Sequence, residues 1–232
     1  MSTRSRETTP TPAPLVGILD YGMGNIRSVE NALQKMGANT CIIESLPLQT
    51  DEPQALVLPG VGALGDCMEQ LRHTGLDRLV QEWIQQDKLF LGVCLGMQAL
   101  FDSSDEGDAK GLGIVPGKVK YFNLKSPYKV PHMGWNTVQF LKQTPLNEER
   151  SDTNTNFYFV HSYYCEPRDE NVIWAESDYG HRFTCAIQFG NCYAVQFHPE
   201  KSQSVGLNIY RNFIRHAAVL STQNDPHAVT PS

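Results

Sequence analysis

The chain has 232 residues, 41% hydrophobic and 19% charged, enough for one α/β domain with a sizeable core. Its net charge of −6 argues against a nucleic-acid footprint, and no apolar run approaches the roughly 18 residues of a membrane span. Six cysteines at 41, 67, 94, 165, 185 and 192, with no C-x-x-C and no histidine at zinc spacing, argue against a disulfide framework or structural metal and point to a reducing, cytoplasmic compartment.

The polar, proline-rich start reads as a disordered tail over 1–13, followed by one domain over 14–220 and a second disordered tail over 221–232. "LVGILDYG" (15–22) predicts a strand ended by glycine. It leads into a helix with Ile26, Val29, Leu33 and Met36 on one face and Gly37 as the stop. "TCIIES" (40–45) and "ALVLPG" (55–60) are the short, continuous apolar runs of buried parallel strands. Residues 63–86 predict one or two helices, with Leu76, Leu79, Val80, Trp83 and Ile84 as the apolar stripe. "KLFLGVC" then reads as a strand and "LGMQALF" as a helix. The alternation predicts an α/β fold, a mostly parallel open sheet flanked by helices.

Beyond about residue 110 the pattern becomes strand-rich: "GIVPGKVKYF", "HMGWNTVQF", "FYFVHSYYCE", "NVIWAESD" and "RFTCAIQFGNCYAVQF". Gly190-Asn191 between two alternating runs signals a hairpin, so an antiparallel extension of the sheet is expected. A last helix is expected over about 204–219, with Leu207, Ile209, Tyr210, Phe213 and Ile214 facing inward.

Ligands of open α/β sheets sit beyond the carboxyl ends of the strands. Three motifs fall at such ends: Pro59-Gly60-Val61-Gly62, Cys94, and "QFHPEKS" at 196–202. A thiol at a strand-to-helix turn is exposed above the sheet, and the helix N–H groups favour its thiolate. Gly92 and Gly96 supply the small neighbours that a sharp turn needs. A thiol nucleophile needs a histidine to take its proton, and that histidine needs an orienting acceptor. His198 and Glu200, two apart in an extended segment, share a face and fill those roles. The N–H groups of Leu95 and of the Val61 turn are the candidate oxyanion donors. Each motif alone is also an ordinary core cysteine or turn; Cys41, Cys185 and Cys192 read as core, and His73, His181, His216 and His227 as surface residues without a role.

"GVCLGMQ" with a distant "FHPE" resembles the class I, triad-type glutamine amidotransferases, with Cys94, His198 and Glu200 at the matching positions. Within that family, "DYGMGN", "LPGVGA", "CLGMQALFDSSDEG", "VPHMGWN", "FVHSYY" and "FHPEKS", in order over about 14–220, resemble the glutaminase subunits of imidazole glycerol phosphate synthases. The resemblance implies a flavodoxin-like fold and hydrolysis of glutamine without metal or organic cofactor. It also implies a free-standing subunit whose heterodimer partner is a (β/α)8-barrel cyclase that uses the ammonia to make imidazole glycerol phosphate and AICAR in histidine biosynthesis. By motif match, Gly62, Gln98, Glu106, His161, Ser162 and Tyr163 line the glutamine pocket, with Glu106 facing the substrate ammonium. Asn25, His132, Trp135 and Lys201 fall to the partner interface on the same ground.

A glycine on each side of Val61 leads to the expectation that this peptide plane rotates cheaply and points its amide away at rest. Trp135, placed in a strand-end loop, and Lys201 would report partner docking to that turn. Two other readings remain at this stage: the glutaminase of another amidotransferase, and a non-catalytic scaffold in which Cys94 is packing.

Overall fold

The computed structural model describes residues 13–148 and 154–223. Twelve strands form a single sheet among them. The first half alternates β1 (Leu15–Leu19), α1 (Ile26–Lys35), β2 (Asn39–Ile43), β3 (Ala55–Gly60), α2 (Leu64–Thr74), α3 (Leu76–Gln85) and β4 (Leu89–Cys94). A four-residue helix, α4 (Leu95–Gln98), then gives way to β5 (Phe101–Ser104) and β6 (Val115–Tyr121). The strand-rich half supplies β7 (His132–Phe140), β8 (Asn154–His161), β9 (Tyr163–Pro167), β10 (Ile173–Asp178), β11 (Arg182–Phe189) and β12 (Cys192–Val195), before the long α5 (Gln203–Gln223).

The parallel core runs β2-β1-β3-β4-β12, and from β12 the order continues antiparallel through β11, β10, β7 and β8. The branch β9-β6-β5 leaves from β11. The strands of the core read as unbroken apolar runs because both faces are covered. One face carries α1 and α5, through Val29, Leu33, Ile209, Tyr210 and Phe213. The other carries α2 and α3, through Leu64, Met68, Leu71, Leu76, Val80 and Trp83. The hairpin at Gly190-Asn191 joins β11 to β12 as the dipeptide predicts.

Several expected elements differ. "LGMQALF" is not one helix: Leu112, Ile114 and Val115 donate their N–H groups to the carbonyls of Ala99 and Leu100, which pulls the chain out of helix after one turn. Residues 63–86, expected as one or two helices, are two, as Gly75 with its φ of 75° ends the first. Helix α5 runs to Gln223, past the expected boundary at 220. The tails expected over 1–13 and 221–232 otherwise lie almost wholly outside the described residues. Trp135 lies within β7, paired across to Tyr158, rather than in a loop. Among the described residues no helix is long and apolar enough to cross a membrane.

The ladders bring three carboxyl ends together: Gly60 of β3 pairs with Cys94 of β4, and Val93 pairs with Val195 of β12. The three sequence motifs thus meet at neighbouring strand ends.

Candidate active site

Cys94 closes β4 with φ 54° and ψ −107°, a backbone conformation that a non-glycine residue holds only under constraint. The constraint comes from the turn beneath it. At Gly96 a β-carbon would overlap the Leu58 carbonyl, so α4 packs onto β3 more closely than any side chain allows. The turn directs the Cys94 side chain into a cleft of about 460 Å³. No other cysteine lines it. Burial pushes the Cys67 thiol up to about 11 and those of Cys165, Cys185 and Cys192 up as well, which keeps them protonated and inert. Cys41 is half-buried rather than core.

His198 and Glu200 come from the 3₁₀ turn Pro199–Lys201 that follows β12. Both side chains are almost fully buried, at 3% and 2% exposure. His198 Nδ1 donates to Glu200 Oε1 at 2.8 Å, which leaves Nε2 as the ring nitrogen not engaged with Glu200. Burial opposes a charge on the imidazole, but hydrogen bonding and charge from Cys94 and Glu200 outweigh it and raise His198 from 6.5 to about 9. Behind Glu200, the Tyr210 phenol of α5 is pushed up by burial and then by that carboxylate.

Two residues that hold this turn give little sign of it in the sequence. Ser202, fully buried, donates from Oγ to the His198 carbonyl at 2.6 Å and accepts from the Tyr158 N–H of β8 at 2.9 Å. Its presence in "HPEKS" was the only signal. Gln196, 0% exposed, donates from Nε2 to Cys94 Sγ at 3.6 Å and accepts from Gln98 Nε2 at 2.9 Å. In the sequence it is one polar letter in an alternating run.

The structure brings Val61, Gly62, Leu95, Gln98, Glu106, His161, Ser162, Tyr163 and Lys201 to the walls of the cleft that holds Cys94 and His198. Glu106 Oε2 accepts the Leu64 N–H that opens α2, so only the rest of the carboxylate is free for a ligand. His161 donates from Nδ1 to the Tyr163 carbonyl at 2.7 Å and accepts at Nε2 from His132 Nδ1 at 2.9 Å. Burial lowers His161 to about 3 and His132 to about 4, so both rings are neutral near pH 7. His132 is 3% exposed and stacked on Tyr179, an internal support for the pocket wall instead of the surface contact expected of it.

Asn25, Trp135 and Lys201 are exposed, and the first two stand outside the cleft. The hinge at Val61 is one-sided: Gly62 has φ 101°, whereas Gly60 is fixed in the β3–β4 ladder and packed under the Tyr21 hydroxyl. His181 and His216 are half-buried rather than surface residues, and His227 lies outside the described residues. Among the described residues no group of three His, Cys, Asp or Glu side chains is placed to hold a metal.

The chain matches the family model "Glutamine amidotransferase class-I" over residues 17–217 and belongs to that family. Within the family it is 42% identical over 209 residues to imidazole glycerol phosphate synthase subunit HisH of Bacillus subtilis, covering 88% of this chain and 97% of that one. It is also 42% identical over 226 residues to the chloroplastic imidazole glycerol phosphate synthase hisHF of Arabidopsis thaliana, covering 96% of this chain but 37% of the plant protein. The fold is shared with a glutamine amidotransferase from Thermotoga maritima (TM-score 0.64, 14% identity, 89% of this chain and 98% of that one).

Proposed function

We propose that this chain is the glutaminase of an imidazole glycerol phosphate synthase in histidine biosynthesis, working in the cytoplasm with a barrel-shaped cyclase partner. The observation that carries the chemistry is the convergence of Cys94 and His198 on a single cleft, with Glu200 bonded to the imidazole nitrogen turned away from it. The similarity to HisH subunits, at up to 46% identity, supports the pathway.

His198 Nε2 takes the Cys94 proton, and the sulfur attacks the side-chain amide carbon of glutamine. The resulting oxyanion is met by the N–H of Leu95 and, once the turn has rotated, by the N–H of Val61. His198 returns its proton to the departing nitrogen, which leaves as ammonia, and a thioester remains on Cys94. Water, deprotonated by His198, attacks the thioester; glutamate leaves and the thiol is restored. Glu200 fixes the tautomer and stabilises the imidazolium. Glu106, Gln98 and the Ser162–Tyr163 backbone bind the amino-acid end of the substrate. Every step is carried by side chains and backbone of this chain.

Cys94→Ala tests the assignment. It should abolish glutamine hydrolysis and labelling by a glutamine-like electrophile such as diazo-oxo-norleucine, while the assembled synthase still forms product from added ammonia. Loss of the ammonia-driven reaction would make Cys94 a packing residue and favour the scaffold reading.

A further inference from the structure

The side-chain amides of Gln98 and Gln196 form a chain from the pocket wall to the sulfur, and its direction is fixed. The Tyr163 carbonyl can only accept, so the Gln98 atom 3.3 Å from it is Nε2. The same nitrogen lies 2.9 Å from the Gln196 side chain, which must therefore present its oxygen there. That leaves Gln196 Nε2, a donor, against Cys94 Sγ at 3.6 Å. Both Gln98 N–H groups are spent in this way, and the Gln98 carbonyl oxygen alone is left to a ligand.

We propose that Gln196 is a positioning residue for the nucleophile: its N–H holds the Cys94 sulfur toward the cleft and stabilises it whenever it carries negative charge. This rests on the glutaminase reading. Gln196 is 0% exposed and anchored by its own N–H to the Cys185 carbonyl at 2.8 Å, so the donor has no water to compete with and little freedom to turn away. Its value lies in the second half of the cycle. When water has attacked the thioester and the intermediate collapses, the sulfur leaves as thiolate, and the proton it takes up is the one His198 removed from that water. A permanent donor to the sulfur stabilises the charge at that moment, until His198 returns the proton. The other ionisable groups near the sulfur are Tyr21, beyond β1, and Cys165 of β9, both held neutral by burial.

The test compares the full-length wild type with Gln196→Glu, which keeps an oxygen toward Gln98 but replaces the donor facing the sulfur. Iodoacetamide alkylation of Cys94 is followed by mass spectrometry across pH, together with kcat and KM for glutamine in the presence of the cyclase subunit. The expected result is an alkylation midpoint raised by about one pH unit or more. A kcat lowered about tenfold or more should accompany a KM changed by less than about twofold. Gln196→Met, uncharged and similar in size, should shift both readings in the same direction by less, and decides the matter if the Glu variant does not fold. An unmoved midpoint in a folded variant overturns the proposal. The alkylation reading does not depend on glutamine turnover: a wild type inactive with its partner but with a shifted midpoint in the variants would sink the glutaminase reading and leave the placement of Gln196 standing.

Discussion

At Glu200 a single carboxylate serves both stability and chemistry. The folded state holds the His198 proton more tightly, at about 9, than the ordinary value of 6.5 in an unfolded chain. The stability this gives is fully present below pH 6.5 and is lost as the pH rises through about 9. Glu200→Gln keeps the shape and removes the part of the stabilisation that comes from Glu200, while the larger share, from Cys94, remains. The melting temperature of the variant should therefore fall furthest below wild type under about pH 6.5 and converge with it toward pH 9, as thermal scans between pH 6 and 10 would show. Glutaminase activity should drop as well, though by less than in His198→Ala, because a neutral amide still orients the ring. Wild-type activity in Glu200→Gln would remove it from the triad.

At the scale of the element, the placement of His198 and Glu200 depends on how tightly α5 lies against the turn before it. Gly206, in the first turns of α5, sits where a β-carbon would overlap the Pro199 carbonyl. Helix propensity alone favours alanine at such a position by about 1 kcal/mol. Overlap with backbone outweighs that preference here, because the Pro199 carbonyl belongs to the turn carrying His198 and Glu200 and cannot swing away as a flexible side chain would. Gly206→Ala should cost about 2–4 kcal/mol in urea unfolding. Its glutaminase activity should fall even at temperatures where the protein is folded. A neutral or stabilising result would show that the turn shifts freely. The sequence displays this glycine only as a weak point in an apolar helix. The strands β1, β3 and β4 and the hairpin at Gly190 were legible, because continuous apolar runs and a Gly-Asn turn are local signals. The single turn of α4 was not, because residues 112–115, far along the chain, compete for its carbonyls. The meeting of Cys94, His198 and Glu200 was legible from residue chemistry at predicted strand ends, whereas Gln196 and Ser202 make contacts with partners that only folding brings near. His132 was misplaced for the opposite reason: a polar letter next to an exposed Trp135 gives no sign that its ring turns inward onto Tyr179.

Over the whole molecule, the exposed end of the sheet connects to His198, the proposed base, through the backbone. Trp135, 48% exposed, meets Tyr158 edge-on at 6.1 Å, and the Tyr158 carbonyl accepts the His198 N–H at 2.9 Å. Met133, on the same face of β7, is 61% exposed, so an apolar surface stands beside this path. Large aromatics of this kind dominate binding energy where they are buried by a partner. Trp135→Ala should weaken binding of the cyclase subunit by about tenfold, which titration calorimetry would register. It should also reduce the stimulation of glutaminase by the cyclase's ligand, and Lys201→Ala, at the cleft rim, should reduce that stimulation with less loss of binding. Undiminished stimulation in both variants would show that the signal travels elsewhere.

The two halves of the triad lie at the ends of β4 and β12, adjacent parallel strands whose ladder pairs Phe90 with Cys192 through Val93 with Val195. Both strands are flanked by further strands, β3 on one side and β11 on the other, so this ladder has no free edge. Amide hydrogens within it should exchange with deuterated solvent only when the entire domain opens, whereas those of Val61 and Gly62, exposed at the rim, should exchange far sooner. Cys94 and the strand end from which the His198 turn departs are therefore fixed relative to one another as long as the protein is folded at all. If the Val61 turn responds to the partner, addition of the cyclase subunit should slow exchange at Val61 and Gly62 while leaving Val93 and Val195 unchanged.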